Sequence, residues 1–164
     1  MIFEKFDHRV PGELYDIELS LHDCISDHII YEENTLRFCL PEGFWISPEH
    51  TENHCGQTVR TDEAAVDFYI EDINDIILCV FIKKRIGFSK KTLLEYWDMK
   101  KFISDVNDGR YSIEFIYQYT SPHEQLWQCV VHSDKNSDYI ECQLHIPNTT
   151  ATFYWNNIRP ECKW

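Results

Sequence analysis

Apolar and polar residues alternate with a period of two through most of the chain, the pattern of strands that bury one face and wet the other. Tyr15, Ile17, Leu19 and Leu21 alternate with Asp16, Glu18 and Ser20. Strands follow over about 26–31 and 36–40, and the four residues Glu32-Glu33-Asn34-Thr35 between them have the length of a hairpin connection. From Pro41 to Thr61 the alternation breaks at Pro41, Gly43, Pro48, Asn53 and Gly56. This predicts a long loop over 41–61, anchored by the apolar island Phe44-Trp45-Ile46. Strand patterns resume over 65–71 and 75–83, and Asp72-Ile73-Asn74 between them predicts a second hairpin. The second of these strands is apolar almost throughout, as a central strand is.

One stretch carries helical spacing. Over 89–106, Leu93, Leu94, Trp97, Phe102, Ile103 and Val106 recur mostly at intervals of three and four. Ser89 or Thr92 can cap the start, and Asn107-Asp108-Gly109 stops it, so a helix is predicted over 89–106. The two-residue period then returns over 111–119, 126–132, 139–146 and 150–155. Strands joined by hairpin-length turns, without regular strand-helix alternation, predict a mainly β (α+β) single domain over 1–164. The architecture expected is an antiparallel β-sandwich or a partly open barrel with one helix packed on it.

Composition sharpens this picture through charge. The 164 residues hold 28 acids and 15 bases, a formal charge of −13. Residues 1–82 carry 18 acids and 4 bases, so the N-terminal half carries the excess. A field of this sign repels phosphate, which argues against nucleic-acid binding and against anionic membranes. The local exception is Lys83, Lys84, Arg85, Lys90 and Lys91, read as a solvated element end offsetting the acidic half, with a phosphate or partner patch as the alternative. The N-terminus mixes charges of both signs where a signal peptide needs an apolar run, and no stretch approaches the roughly 20 apolar residues of a membrane span. Seven cysteines, an odd number, several within apolar strand patterns, suit buried thiols in a reducing cytoplasm better than a disulfide framework.

Candidate chemistry is sparse. His50, His54 and Cys55 form an H-x3-H-C group in the 41–61 loop; a structural zinc site would need a fourth ligand from Cys39 or His22. His22-Asp23-Cys24 holds the parts of a thiol nucleophile system, but adjacent residues of an extended chain point in different directions. A strand end with Asp23 organising a turn is the simpler reading. No phosphate-binding glycine loop, G-x-S-x-G or H-E-x-x-H occurs. Asp62, Glu63, Asp67, Glu71, Asp72 and Asp75 place six acids in fourteen residues, either a solvated face or a docking surface for a basic partner. Tyr111, Tyr117, Tyr119, Trp127 and Trp155 are core aromatics or, where they face solvent, interface residues.

The segments Leu19-Ser-Leu-His-Asp-Cys24, Ile29-Ile-Tyr31, Leu36-Arg-Phe38 and Pro41-Glu-Gly-Phe-Trp45 resemble the opening of small bacterial proteins similar to the immunity proteins of polymorphic toxin systems. The resemblance covers residues 15–46. It implies a cytoplasmic, mainly β binder with no reaction of its own. Charge and resemblance together lead to the expectation of a non-catalytic binding protein whose acidic half engages a basic protein. A small-ligand or carbohydrate-binding β module using exposed aromatics is the alternative, and a thiol-dependent enzyme the third.

Overall fold

The computed structural model describes residues 6–12, 18–133, 136–147 and 150–164. In chain order the strands begin with β1 (His8–Pro11), β2 (Leu19–Ser20), β3 (Cys24–Ser26), β4 (His28–Glu32), β5 (Thr35–Leu40), β6 (Trp45–Ile46), β7 (Val59–Thr61) and β8 (Ala64–Tyr69). A 3₁₀ turn at Ile73–Asp75 leads to β9 (Ile77–Ile86), β10 (Ser89–Trp97), the helix α1 (Met99–Asn107), β11 (Tyr111–Thr120), β12 (Glu124–Ser133), β13 (Asn136–Pro147), β14 (Ala151–Trp155) and β15 (Ile158–Lys163). They form a five-stranded sheet β1-β14-β8-β5-β4, a six-stranded sheet β10-β9-β13-β12-β11-β3 and a four-stranded sheet β15-β7-β6-β2. Among the described residues every pairing is antiparallel and no sheet closes into a barrel, so the fold is the mainly β, α+β sandwich that the alternation predicts.

Cross-strand rows build the core. In the five-stranded sheet Val10, Phe153, Val66, Phe38 and Ile29 stand opposite one another in register. In the six-stranded sheet the corresponding row is Val80, Cys142, Cys129, Phe115 and Cys24. Phe38 meets Phe115 edge to face with ring centroids 5.1 Å apart, and Phe115 meets Trp127 at 5.3 Å. This is the geometry in which the positive ring edge faces the negative ring face. Three of the seven cysteines therefore serve as small apolar core residues, and all seven are unpaired thiols.

The helix starts ten residues later than its spacing predicts, at Met99. Residues 89–97 are instead the edge strand β10, paired with β9 from Ser89↔Ile86 to Trp97↔Leu78. Gly87, at φ +61°, supplies the positive φ that the first central position of a two-residue hairpin turn demands. Leu93 and Trp97 fit either period, and the strand pairing decides. The cap of α1 is Asp98, whose carboxylate accepts the Lys101 N–H at 2.7 Å. Met99, Phe102 and Val106 form the buried stripe, and the Asn107 amide both donates to the Ile29 carbonyl and accepts the Ile29 N–H, each at 2.8 Å. One side chain thus continues the hydrogen bonding of edge strand β4 and seats the helix beside it.

Two further expectations are corrected. The pair predicted as a hairpin over 65–71 and 75–83 is split between sheets, β8 in the five-stranded and β9 in the six-stranded one. Ile70, Ile73 and Ile76 are buried along the connection, a spacing of three that matches the 3₁₀ turn between them. The 41–61 segment is a loop only in its middle, since β6 and β7 lie at its ends and pair with each other. Gly43, at φ +76°, sits where the chain leaves β5 for β6, and a Cβ there would meet the Asp62 carbonyl oxygen at 2.3 Å. Of the strand predicted over 15–21, residues 15–17 lie outside the described residues and Leu19–Ser20 forms β2.

On the far face of the five-stranded sheet Arg37 stands opposite Asp67 and both are buried. The guanidinium donates to the carboxylate twice, Nε at 2.6 Å and Nη2 at 2.8 Å, under the Tyr154 ring 4.9 Å from the Arg37 carbon. Breaking such a pair strands an uncompensated charge, at a cost of about 3 to 5 kcal/mol. Asp67→Asn is expected to lower the urea-unfolding free energy by about 3 kcal/mol. The double change Arg37→Met with Asp67→Leu is expected to recover most of that loss; equal losses in both variants would contradict this reading of the pair.

Candidate functional site

Hydrogen bonding gathers acidic residues at one end of the sandwich. The β4–β5 turn is a two-residue turn with Glu33 at φ 49° and Asn34 at φ 60°, the doubly positive geometry that suits strand twist. Pairing of Thr35 with Tyr69 sets this turn beside the segment leaving β8, where the Ile70 N–H donates to the Asn34 carbonyl at 2.7 Å. The Tyr31 hydroxyl donates to the carbonyls of Ile70 and Glu71 at 3.1 and 3.2 Å. Glu32, Glu33, Glu71, Asp72 and Asp75 are all exposed here, with the exposed ring of Tyr69 beside them. Asp72 caps the 3₁₀ turn by accepting the Asn74 N–H at 2.9 Å, which fixes the loop that carries Asp75.

Three of the six acids singled out in the sequence belong to this end: Glu71, Asp72 and Asp75. Asp62 and Glu63 precede β8 at its opposite end, a strand length of roughly 17 to 20 Å away. Asp62 is engaged by the backbone N–H of Asn157 at 3.1 Å and its side-chain amide at 2.9 Å. Asp67 is corrected from a partner-binding residue to an internal ion pair, because it is buried against Arg37. Glu32 and Glu33 were missed. The sequence marks them as a turn, and only the β5–β8 register shows which segment that turn adjoins.

The metal and thiol candidates are dispersed. His50 is buried against Trp155 at 6.0 Å and its Nδ1 accepts the Glu52 N–H at 3.2 Å, while His54 is exposed and the Cys55 N–H donates to Asn53. Among the described residues no group of three or more His, Cys, Asp or Glu side chains is placed to hold a metal ion. The loop is held by the Asn53 side chain, whose amide reaches the carbonyls of Ile46, Ser47 and Gln57 at 3.0, 2.9 and 2.9 Å. Cys24 is fully buried, and burial pushes its thiol up from 9.0 to about 12, against the opposing pull of the Arg60 guanidinium. A nucleophile needs the thiolate and access to substrate, and Cys24 has neither.

A second surface lies across the four-stranded sheet. Glu18, Ser20, Trp45, Ser47, Thr58 and Trp164 line a cleft of about 420 Å³. Trp45 and Trp164 lie 5.3 Å apart, the Trp45 indole N–H donates to the His22 carbonyl at 2.9 Å, and Arg60 stacks 5.0 Å over the Trp45 ring. Of the aromatic stripe, Trp127 and Trp155 are core residues, Tyr111 is half-buried, and Tyr117 and Tyr119 face solvent.

Comparison of the chain with protein-family models, with curated proteins and with solved structures gives no match. Among the described residues no helix is long and apolar enough to cross a membrane.

Cysteine chemistry provides a direct check. With iodoacetamide at pH 8, Cys55 and Cys162, both partly exposed, are expected to label first, and Cys24, Cys129 and Cys142 only after unfolding. Because the native Cys24 pKa lies above its unfolded value, the native state holds that proton more tightly. The resulting stabilisation is complete below pH 9 and is lost as pH rises toward 12. Rapid labelling of Cys24 in the folded protein would restore the thiol-enzyme reading.

Proposed function

We propose that this chain is a non-catalytic binding protein of the immunity type, which docks a basic protein partner on its acidic end. The observation that carries the reading is the convergence of Glu32, Glu33, Glu71, Asp72 and Asp75 from two separate segments onto one exposed surface. Five carboxylates on hydrogen-bonded turns form a fixed negative field, which steers a cationic surface into encounter and excludes acidic competitors. Tyr69 adds an aromatic ring of the kind that anchors protein interfaces. The buried acids, by contrast, are paired with bases, Asp67 with Arg37 and Asp105 with Lys101 and Arg110. Seven unpaired thiols, three of them in one core row, support action in a reducing compartment such as the cytoplasm.

The resemblance of residues 15–46 to immunity-type proteins supports the same class, since such proteins act by occupying a toxin and not by catalysis. The Trp45–Trp164 cleft favours a second reading, a small-ligand or carbohydrate module, in which the rings would form an apolar floor and Glu18, Ser20, Ser47 and Thr58 a polar rim.

The two readings separate in one experiment. The intact chain, the variant Glu32→Lys with Glu71→Lys and Asp75→Lys, and the variant Trp45→Ala serve as baits at low salt against extract of the source cell. A basic protein is expected to be retained by the intact chain and by Trp45→Ala, released as salt rises, and reduced at least tenfold on the triple-lysine bait. Equal retention on all three baits, or none, would contradict the acidic-end reading.

A further inference from the structure

The basic exception in the sequence is built into an arm. The pairing of β13 on β9 runs from Ile77 to Phe81, whereas β10 stays paired with β9 out to Ser89↔Ile86. Beyond Phe81 the β9–β10 hairpin therefore continues as a two-stranded ribbon. Residues 83–94 contain five bases and no acid. Directly opposed residues of an antiparallel pair share a face. Arg85 and Lys90 are opposed, and so are Lys84 and Lys91 one position further back, so positive charge lies on both faces of the ribbon. At the base Lys83 pairs with Glu141 at 3.0 Å and Lys84 with Glu95 at 2.7 Å, both in solvent. At the tip Gly87 turns the chain and the Phe88 ring is fully exposed, the most exposed large apolar side chain among the described residues.

We propose that this arm docks tip-first on an anionic lipid surface. The layering fits an interface: an apolar tip, then collars of charge. At about 3.3 Å per residue the Arg85/Lys90 collar lies roughly 7 Å behind the Phe88 position, and Lys91, opposite the Glu95-paired Lys84, roughly 10 Å. When the tip enters the boundary between headgroups and acyl chains, charges at that height reach the lipid phosphates. The acidic end does not oppose this, because it adjoins the other end of β9, a ten-residue strand of roughly 33 Å, and charge is screened over about 8 Å at physiological salt. Duplex nucleic acid is the less suited polyanion. A duplex would engage the same lysines and arginine through its phosphates, whereas a lipid boundary in addition buries the fully exposed Phe88 ring. The attachment is peripheral and reversible, and it would present the acidic end away from the membrane.

The test is co-sedimentation of the full chain with vesicles of phosphatidylcholine alone or with about 30% phosphatidylserine, at low and physiological salt. Binding is expected on the phosphatidylserine vesicles only, weakening with salt. Lys90→Gln with Lys91→Gln is expected to weaken it about thirtyfold and Phe88→Ser about tenfold. All three substituted positions are exposed, so unchanged circular dichroism and unfolding midpoint separate lost binding from lost folding. Absence of phosphatidylserine-dependent binding, or binding unaffected by either variant, overturns the proposal. So does tighter binding to a duplex DNA probe than to the vesicles. The acidic-end variants leave this assay unchanged if the two surfaces act independently.

Discussion

The contact between Phe38 and Phe115 is the constraint on which the rest of the structure depends. Each ring stands in a cross-strand row of its sheet, and their edge-to-face meeting presses the five-stranded sheet against the six-stranded one. Once those rows are opposed, the chain must pass between sheets at fixed places. One is the 70–76 connection, where Ile70, Ile73 and Ile76 hold the 3₁₀ turn against the core. That connection carries Glu71, Asp72 and Asp75 outward as a consequence of pointing its isoleucines inward. The half of the acidic end that this connection supplies is thus produced by the three-residue spacing that buries its isoleucines.

Charge is segregated along the strand direction. The acidic end adjoins the start of β9 and the basic arm is its far end, so one ten-residue strand joins the two poles. A net charge of −13 averages over this arrangement and conceals it. The buried Arg37–Asp67 pair contributes to neither pole, since each charge is satisfied by the other. Electrostatic steering therefore belongs to the exposed ends, while the interior pair acts on stability and on the relative placement of β5 and β8.

Much of the fold was legible in the sequence because a half-buried strand writes its faces directly into the alternation, as over β12, where Trp127, Cys129 and Val131 are buried and Leu126, Gln128 and Val130 between them are not; over 111–119 it fails where a register shift after Phe115 turns Tyr117 and Tyr119 to solvent. The departures have local causes. Leu93 and Trp97 satisfy helical and strand periods equally, Leu94 points to the other, exposed face, and pairing with β9 from Ser89 onward settles the matter. The 70–76 connection contains turn residues suited to a hairpin, and whether two strands share a sheet depends on where the second finds partners, here β13. The site was half legible. Clustering of acids between 62 and 75 was visible, but Asp67 has the same strand parity as Glu71, and only the opposed Arg37 reveals that it is internal. Glu32 and Glu33 join the site through a register between β5 and β8 that no local pattern encodes.

The central claim is that a fixed acidic surface formed by residues 31–34 and 69–76 recognises positive charge. An amide-resolved NMR titration with a short lysine- and arginine-rich peptide at low ionic strength tests it most directly. The account predicts saturable shifts concentrated at Glu32, Glu33 and Glu71 to Asp75, abolished by physiological salt, with Asp62, Glu63 and the Trp45–Trp164 cleft unmoved. Shifts of equal size around Asp62 and Glu63, or concentrated on the indoles of that cleft, would contradict it.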